Sequence, residues 1–507
     1  MFIYQNLKLK HRRDFLIFFL IFVLVGIMIG LEPLISLIFL SGAILAGLIF
    51  LFPKYFLYFL VFCLPFLPAL NLAPGFDIAG SRVLIILIFA AWFIRGLLKK
   101  DLKISFDFIS IFLIGFLLFV SLTILYTPIF ERTGRKLLVF YSIFPLYFIY
   151  FDYLKKYGGK FLIKTLKILG LSGFLVSFFG FFQFMLQFIA GKELIIKIYS
   201  NYLGGFLWGE TAAKSVYENP SWLFDAGFAD LLRAFSTLPD PHIFSFFLSF
   251  TAPAQGYLIY HYWRKNKKKG NETFPLLFWA GAFLLSLINE FLTFSRGGYV
   301  GFFLAVSCLV FLLIIKKIKK NPVSFLRKKH NRQNFFYGFT IFVGLALLFG
   351  LGYYFFPQNP LSKRITSIFN IQEGSNLGRL KIWSQAYNLF KDNFYFGVGL
   401  GAYSYEIKPS KHYRDPIYAH NIYLEFLAET GIIGFLLYFG VILYAILYPL
   451  KSFLFKNSSV SLALLTGLIW FLIHGFFEMP LYSPVILPLF MINLAMVSYE
   501  NSAAGKL

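Results

Sequence analysis

Apolar runs long enough to cross a bilayer recur along the chain from Phe15 to Val497, separated by polar connections whose basic content alternates in density. Taking the segment with Lys8, Lys10, Arg12 and Arg13 as cytoplasmic predicts spans near 14–30, 34–51, 55–70, 83–98, 106–126, 136–152 and 164–190, after which the chain emerges outside. A second set is expected near 242–262, 274–292, 298–315, 336–356, 431–450, 460–478 and 482–499. Together they make about fourteen helices with both termini inside. The first run has the basic flank of a signal peptide, but no small-residue cleavage pattern follows, so it reads as a retained helix.

The expected fold class is therefore an all-α polytopic membrane protein. Its two regions are 1–241, holding the N-terminal helices and a first outer loop, and 242–507, which includes a large outer loop over 357–430. Composition agrees, since 59% of residues are hydrophobic and only 14% charged. The net charge of +24 does not point to nucleic acid. Its richest clusters, 95–103, 155–167, 264–269 and 316–332, are short connectors that all fall on the inner side and form no single readout face. Cys63 and Cys308 sit inside predicted spans, which argues against a disulfide framework or a thiolate metal site.

The two long outer segments, 191–241 and 357–430, carry the candidate chemistry. In the second, Leu377, Leu380, Trp383, Tyr387 and Phe390 recur at helical spacing, predicting an amphipathic helix on the bilayer or against the bundle, with Arg379 in its first turn. His420 closes that segment just before an apolar helix. It reads either as a hydrogen-bonded structural residue or as a base at a membrane surface. The topology sends it to the same side as Arg233, Arg296 and Arg379. Arginine forks suit phosphate oxygens, and a histidine can deprotonate a sugar hydroxyl.

Alternatives stay open at each position. Arg296, in the short turn Ser295-Arg-Gly-Gly298, can bind phosphate or pair with Glu290 in the preceding span. Arg233 opens a stretch ending in Pro239-Asp-Pro-His242, where the prolines are architectural. His474 and Glu478, one helical turn apart, can orient an acceptor or hydrogen-bond each other. Gly397-Val-Gly-Leu-Gly401 lacks the remaining features of a nucleotide loop and reads as a turn. There is no Walker-type motif and no Asp-x-Asp pair, so neither a cofactor nor a metal is expected.

Ala419 to Gly434 resembles the histidine-asparagine motif of the O-antigen ligase and polymerase superfamily, matching at His420, Asn421, Tyr423, Leu424, Glu429, Gly431 and Gly434. Ser295 to Gly298 is similar to its serine-arginine-glycine turn, Gly378 through Trp383 to Gly399 to its arginine-tryptophan-glycine stretch, and Arg233 through Pro241 to its arginine-proline element. Asp240 departs from the pattern, which more often has asparagine there.

The resemblance implies a fold of the membrane glycosyltransferase C type, with a cavity between the bundle and the large outer loop. It also implies metal-independent, inverting glycan transfer from an undecaprenyl-diphosphate-linked donor. His420 would be the base, with Arg233, Arg379 and Arg296 as diphosphate candidates. Asn421, Glu429, His474 and Glu478 are expected to support the site or orient the acceptor. That acceptor is a lipid A core for a ligase, another repeat unit for a polymerase, or a protein, with ligation preferred. The expected location is the bacterial inner membrane, among its lipids, with the site facing the periplasm. An exporter of polysaccharide or lipid is the alternative of another class. It would place its key polar groups near mid-membrane rather than at one face.

Overall fold

The computed structural model describes residue 19 and residues 33–503, apart from 74–75, 211–212, 215–220, 227–228, 321–359, 371, 373 and 409–417. The spans expected at 14–30 and 336–356 lie outside the described residues. The first described helices are α1 (Pro33–Leu51) and α2 (Pro53–Cys63). A hairpin of β1 (Ala69–Ala73) and β2 (Phe76–Ala79) leads into α3 (Gly80–Lys99), α4 (Phe108–Leu122), α5 (Phe130–Ile143) and α6 (Pro145–Ala190). Short helices and a second hairpin, β3 (Leu223–Asp225) and β4 (Asp230–Leu232), precede α7 (Pro241–Lys269), α8 (Thr273–Leu292) and α9 (Arg296–Lys320). The later elements are α10 (Pro360–Phe369), α11 (Gly374–Asp392), α12 (Ile422–Lys456), α13 (Ser459–His474) and α14 (Ile486–Ala503).

This is a predominantly helical, multi-pass membrane protein. Among the described residues, six helical stretches are long and apolar enough to cross a bilayer, or seven if α1 and α2 form one bent span. Every residue of α14 from Ile486 to Ser498 is buried, as expected of an all-round apolar helix at the centre of a bundle.

One expected boundary needs correction. The span predicted at 55–70 ends at Cys63, and the chain then turns through Pro65 and Pro68 into the first hairpin. Pro53 opens α2 after a bend of 113°, because a proline cannot continue the hydrogen-bond ladder of α1. The apolar stripe predicted around Leu377 forms a helix, α11, which packs on one side and leaves part of the stripe exposed. Ile382, Ala386 and Leu389 contact the cluster that holds Tyr403, Ala419 and Ala428, whereas Leu377, Leu380 and Tyr387 remain exposed. Small Ala386 lets the helix approach closely, and of the larger side chains Phe390 is buried and Trp383 meets the Phe477 ring.

Helix α12 is broken at Gly431, whose φ of 60° and ψ of −167° are open essentially to glycine alone. The segment before residue 400 repairs the break. Val398 and Gly399 donate their N–H groups to the carbonyls of Ala428 and Glu429 at 3.0 and 2.9 Å. In return, Ile432 donates to Phe394 O at 2.8 Å. The Gly397–Gly401 sequence is thus the brace of a broken helix. Its glycines at 397, 399 and 401 all have positive φ.

Candidate functional site

Three short connections converge at one end of the bundle. Asn421 caps α12 by accepting from Tyr423 N and Leu424 N at 2.9 and 3.1 Å, which satisfies donors the helix cannot use internally. The residue before it, His420, holds a left-handed backbone with φ 47°. Phe294, before the Ser295–Gly298 turn, and Ser236, after Arg233, do the same at 48° and 58°. The other described non-glycine residues with positive φ, Lys100 and Asn457, are helix C-caps. A left-handed non-glycine residue thus occurs in each of the three segments that build the site.

At the centre stands Glu478, just beyond the end of α13. Its Oε2 accepts from His420 Nδ1 at 2.8 Å, and its Oε1 accepts from Arg379 Nη2 at 2.8 Å. His242 Nε2 lies 3.7 Å from the same Oε1. An ionised carboxylate only accepts, so the His420 proton sits on Nδ1 and Nε2 is the ring's acceptor. Burial pushes the Glu478 carboxyl upward, but His242, His420 and Arg379 outweigh it and hold the group well below the usual carboxylate range. The charge of Glu478, partly opposed by burial, raises the His420 imidazole above its ordinary value.

Arg233 follows β4 and is 3% exposed. Its Nε donates to Thr293 O and its Nη1 to Ser221 O, each at 2.7 Å, while its buried Nη2 has no hydrogen-bond partner among the described residues. Burial lowers it to about 10, so it remains a cation at neutral pH. Arg296 starts α9 and reaches Ser367 O at 3.2 Å. Of the two readings of Arg296, the pairing with Glu290 is not formed; Glu290 Oε1 accepts from Ser245 Oγ at 2.9 Å.

These groups line a cavity of about 510 Å³ that Arg233, Arg296, Arg364, Arg379, His420 and Glu478 share with Asp240 and His242. Four arginines against two carboxylates leave an excess of positive charge suited to a polyanion. Arg364, on α10, was not singled out from the sequence. Its signal is weak, a Lys-Arg pair inside an outer loop, and its Nε hydrogen bond to Phe294 O at 2.8 Å and its stacking over the Phe224 ring at 5.1 Å hold it at the cavity.

Other expected site residues lie elsewhere. Glu429 is buried against Lys136 of α5 at 2.9 Å, and Glu425, one turn earlier, pairs with the same Lys136 at 3.4 Å while accepting from Ala419 N at 3.1 Å. This ion pair anchors the short arm of α12 behind His420 rather than lining the cavity. His474 is fully buried, stacked on Phe246, with Nε2 3.1 Å from Ser295 Oγ. The hydrogen bond expected between His474 and Glu478 is not made, because α13 stops at His474 and the two do not share a helical face.

Asp240 keeps the cap that an asparagine would supply, with Oδ1 accepting from His242 N and Ile243 N at 2.7 and 2.9 Å. Burial raises its carboxyl to about 6. A carboxyl raised on folding contributes stability fully present below its unfolded value and lost as pH rises through about 6. Asp240→Asn should therefore match the wild type in thermal unfolding at pH 3 and gain about 3 kcal/mol at pH 8. Equal stabilities at both pH values would contradict this account.

Residues 281–439 match the family model described as O-Antigen ligase. The chain is also 27% identical over 199 residues to the teichuronic acid biosynthesis protein TuaE of Bacillus subtilis (strain 168), a match covering 38% of each chain. It thus spans little more than a third of that relative's length. The family is a glycosyltransferase-like group of ligases and polymerases acting in membranes. The matched region contains Arg296, Arg364, Arg379 and His420, whereas Arg233, His242 and Glu478 fall outside it.

Proposed function

We propose, for a chain that carries an O-antigen ligase domain over residues 281–439, that it transfers a glycan from a polyprenyl diphosphate to an acceptor hydroxyl in the cavity around His420. The observation that carries this reading is Glu478 bridging His420 and Arg379 inside a cavity lined by four arginines. His420 Nε2 takes the proton of the acceptor hydroxyl as its oxygen attacks the anomeric carbon from the face opposite the diphosphate. The bond from that carbon to the diphosphate oxygen breaks, and the charge left on the polyprenyl diphosphate meets Arg233, Arg379 and Arg296. The configuration inverts, and Glu478 stabilises the imidazolium much as a triad carboxylate does. The arginines supply the positive charge, so the step is read as metal-independent.

Ligation to a lipid A core is the reading retained from the sequence. Polymerisation of repeat units is the second, favoured by the likeness to a protein named for teichuronic acid biosynthesis, a polysaccharide pathway. We assign the cavity to the periplasmic face of the inner membrane, in keeping with the inner placement of the basic connectors.

Protein reconstituted in vesicles with undecaprenyl-diphosphate glycan, candidate acceptors, chelator and no nucleotide should form product. Arg379→Gln should lower turnover by about 10²-fold, the loss of one charge-assisted contact to the leaving group. The acceptor consumed distinguishes ligase from polymerase. No product with any acceptor, or full turnover by Arg379→Gln, would count against the assignment.

A further inference from the structure

A second basic cavity, of about 390 Å³, lies at the opposite end of the bundle. The first hairpin is on the same side as the His420 cavity, because Asp77 packs against Gly209 in the segment that also supplies Arg233. From there α3 runs 20 residues, about 30 Å, to Lys99 at the far end. The cavity is lined there by Lys54, Arg95, Lys99 and Lys156, together with Asp101 and Asp152.

Both carboxylates are already engaged. Asp152 accepts from Trp92 Nε1 at 2.9 Å, and Asp101 pairs with Lys156 at 3.4 Å. Among the described residues no carboxylate pairs with Lys54, Arg95 or Lys99. Lys54 Nζ rests over the Tyr157 ring at 4.1 Å, and Arg95 Nη1 donates to the Leu51 carbonyl freed at the bend between α1 and α2, at 2.9 Å. The first turn of α2 also faces this cavity, and its N-cap, Phe52, supplies no side-chain hydrogen bond. Three cations without carboxylates and an uncapped helix start therefore surround one space that is rich in donors and short of acceptors.

The rim identifies the source of the missing anion. Phe52, Tyr55 and Tyr157 line the cavity and are all exposed, Tyr55 at 61%. Such side chains around a polar pocket at the end of membrane-crossing helices suit acyl chains below and a headgroup within.

We propose that this cavity is a binding site for the phosphate headgroup of an anionic membrane lipid, in the leaflet opposite the His420 cavity, held by Lys54, Arg95 and Lys99. The site is separate from glycan transfer and does not depend on it. Its role is to tie α2 and α3 together at the α1–α2 bend.

The test is native mass spectrometry of full-length protein released from vesicles of phosphatidylcholine and phosphatidylglycerol. Wild type should retain phosphatidylglycerol, and Lys54→Gln/Lys99→Gln should retain several-fold less, while Lys100→Gln/Lys103→Gln, neighbouring cations outside the cavity, should match wild type. Millimolar inorganic phosphate should not displace the lipid. Arg95 is left intact because its hydrogen bond to Leu51 supports the bend. Equal retention by the two double variants would overturn the proposal, as would displacement by inorganic phosphate, which would reassign the cavity to a soluble phosphate compound. A transfer assay on the same samples separates this outcome from the fate of the proposed function.

Discussion

His420→Asn should lower glycan transfer by about 10²–10⁴-fold, the usual contribution of a general base, without unfolding the protein. Asparagine is chosen because the position has φ 47°, a conformation that asparagine tolerates better than alanine. The partner substitution, Glu478→Gln, tests whether the histidine acts as a base. A base must be neutral, so kcat/KM should rise with pH through the His420 value, which the Glu478 charge holds above the ordinary imidazole range. Removing that charge should move the rising limb to lower pH and reduce the plateau, since the imidazolium loses its counter-ion. A merely structural histidine would give an unshifted limb, and full activity in His420→Asn would remove the base assignment. Steady-state rates across pH 5–9 in vesicles, a range of about two pH units on either side of neutrality, decide between them.

The second large effect is on folding. Gly431→Ala should destabilise the protein by about 3–4 kcal/mol, combining the penalty of a side chain at this φ and ψ with loss of cross-bracing hydrogen bonds. An added Cβ would lie 2.4 Å from the Tyr395 carbonyl carbon, which is backbone and cannot rotate away. The bonds from Val398, Gly399 and Ile432 would have to lengthen together. Gly378→Ala is the internal control, because a Cβ there meets nothing within 4 Å. Thermal unfolding in one detergent should separate the two variants clearly, and comparable melting would refute the brace. Activity should fall as well. The short arm of α12 before Gly431 carries Glu425, which holds Ala419 N next to His420.

That arm also shows where sequence reasoning stopped. Glu425 and Glu429 are one helical turn apart, so the 3.6-residue period places them on one face. Nothing in the period says that this face meets Lys136 from the other half of the chain rather than the cavity. The same limit applied to α11. Its helix was legible from apolar spacing, but the spacing did not say that Ile382, Ala386 and Leu389 would pack while Leu377, Leu380 and Tyr387 stay exposed. Arg364 was overlooked because one arginine in a basic outer loop carries no local mark of function.

The sequence alone determined that the chain is a multi-pass helical membrane protein and placed its candidate arginines and His420 between the predicted spans, although α9 begins at Arg296 itself. Those properties are local. Bilayer thickness and the cost of charge in hydrocarbon act on each stretch of about twenty residues by itself, so they are written in the order of residues. Only the tertiary structure decided that Glu478, 58 positions from His420 and 99 from Arg379, links the two, while His474, the last residue of α13, turns inward to Ser295. Such meetings depend on where a helix ends and which faces pack. Both are settled by side-chain volume and backbone hydrogen bonding between distant segments, which hydrophobic periodicity does not encode.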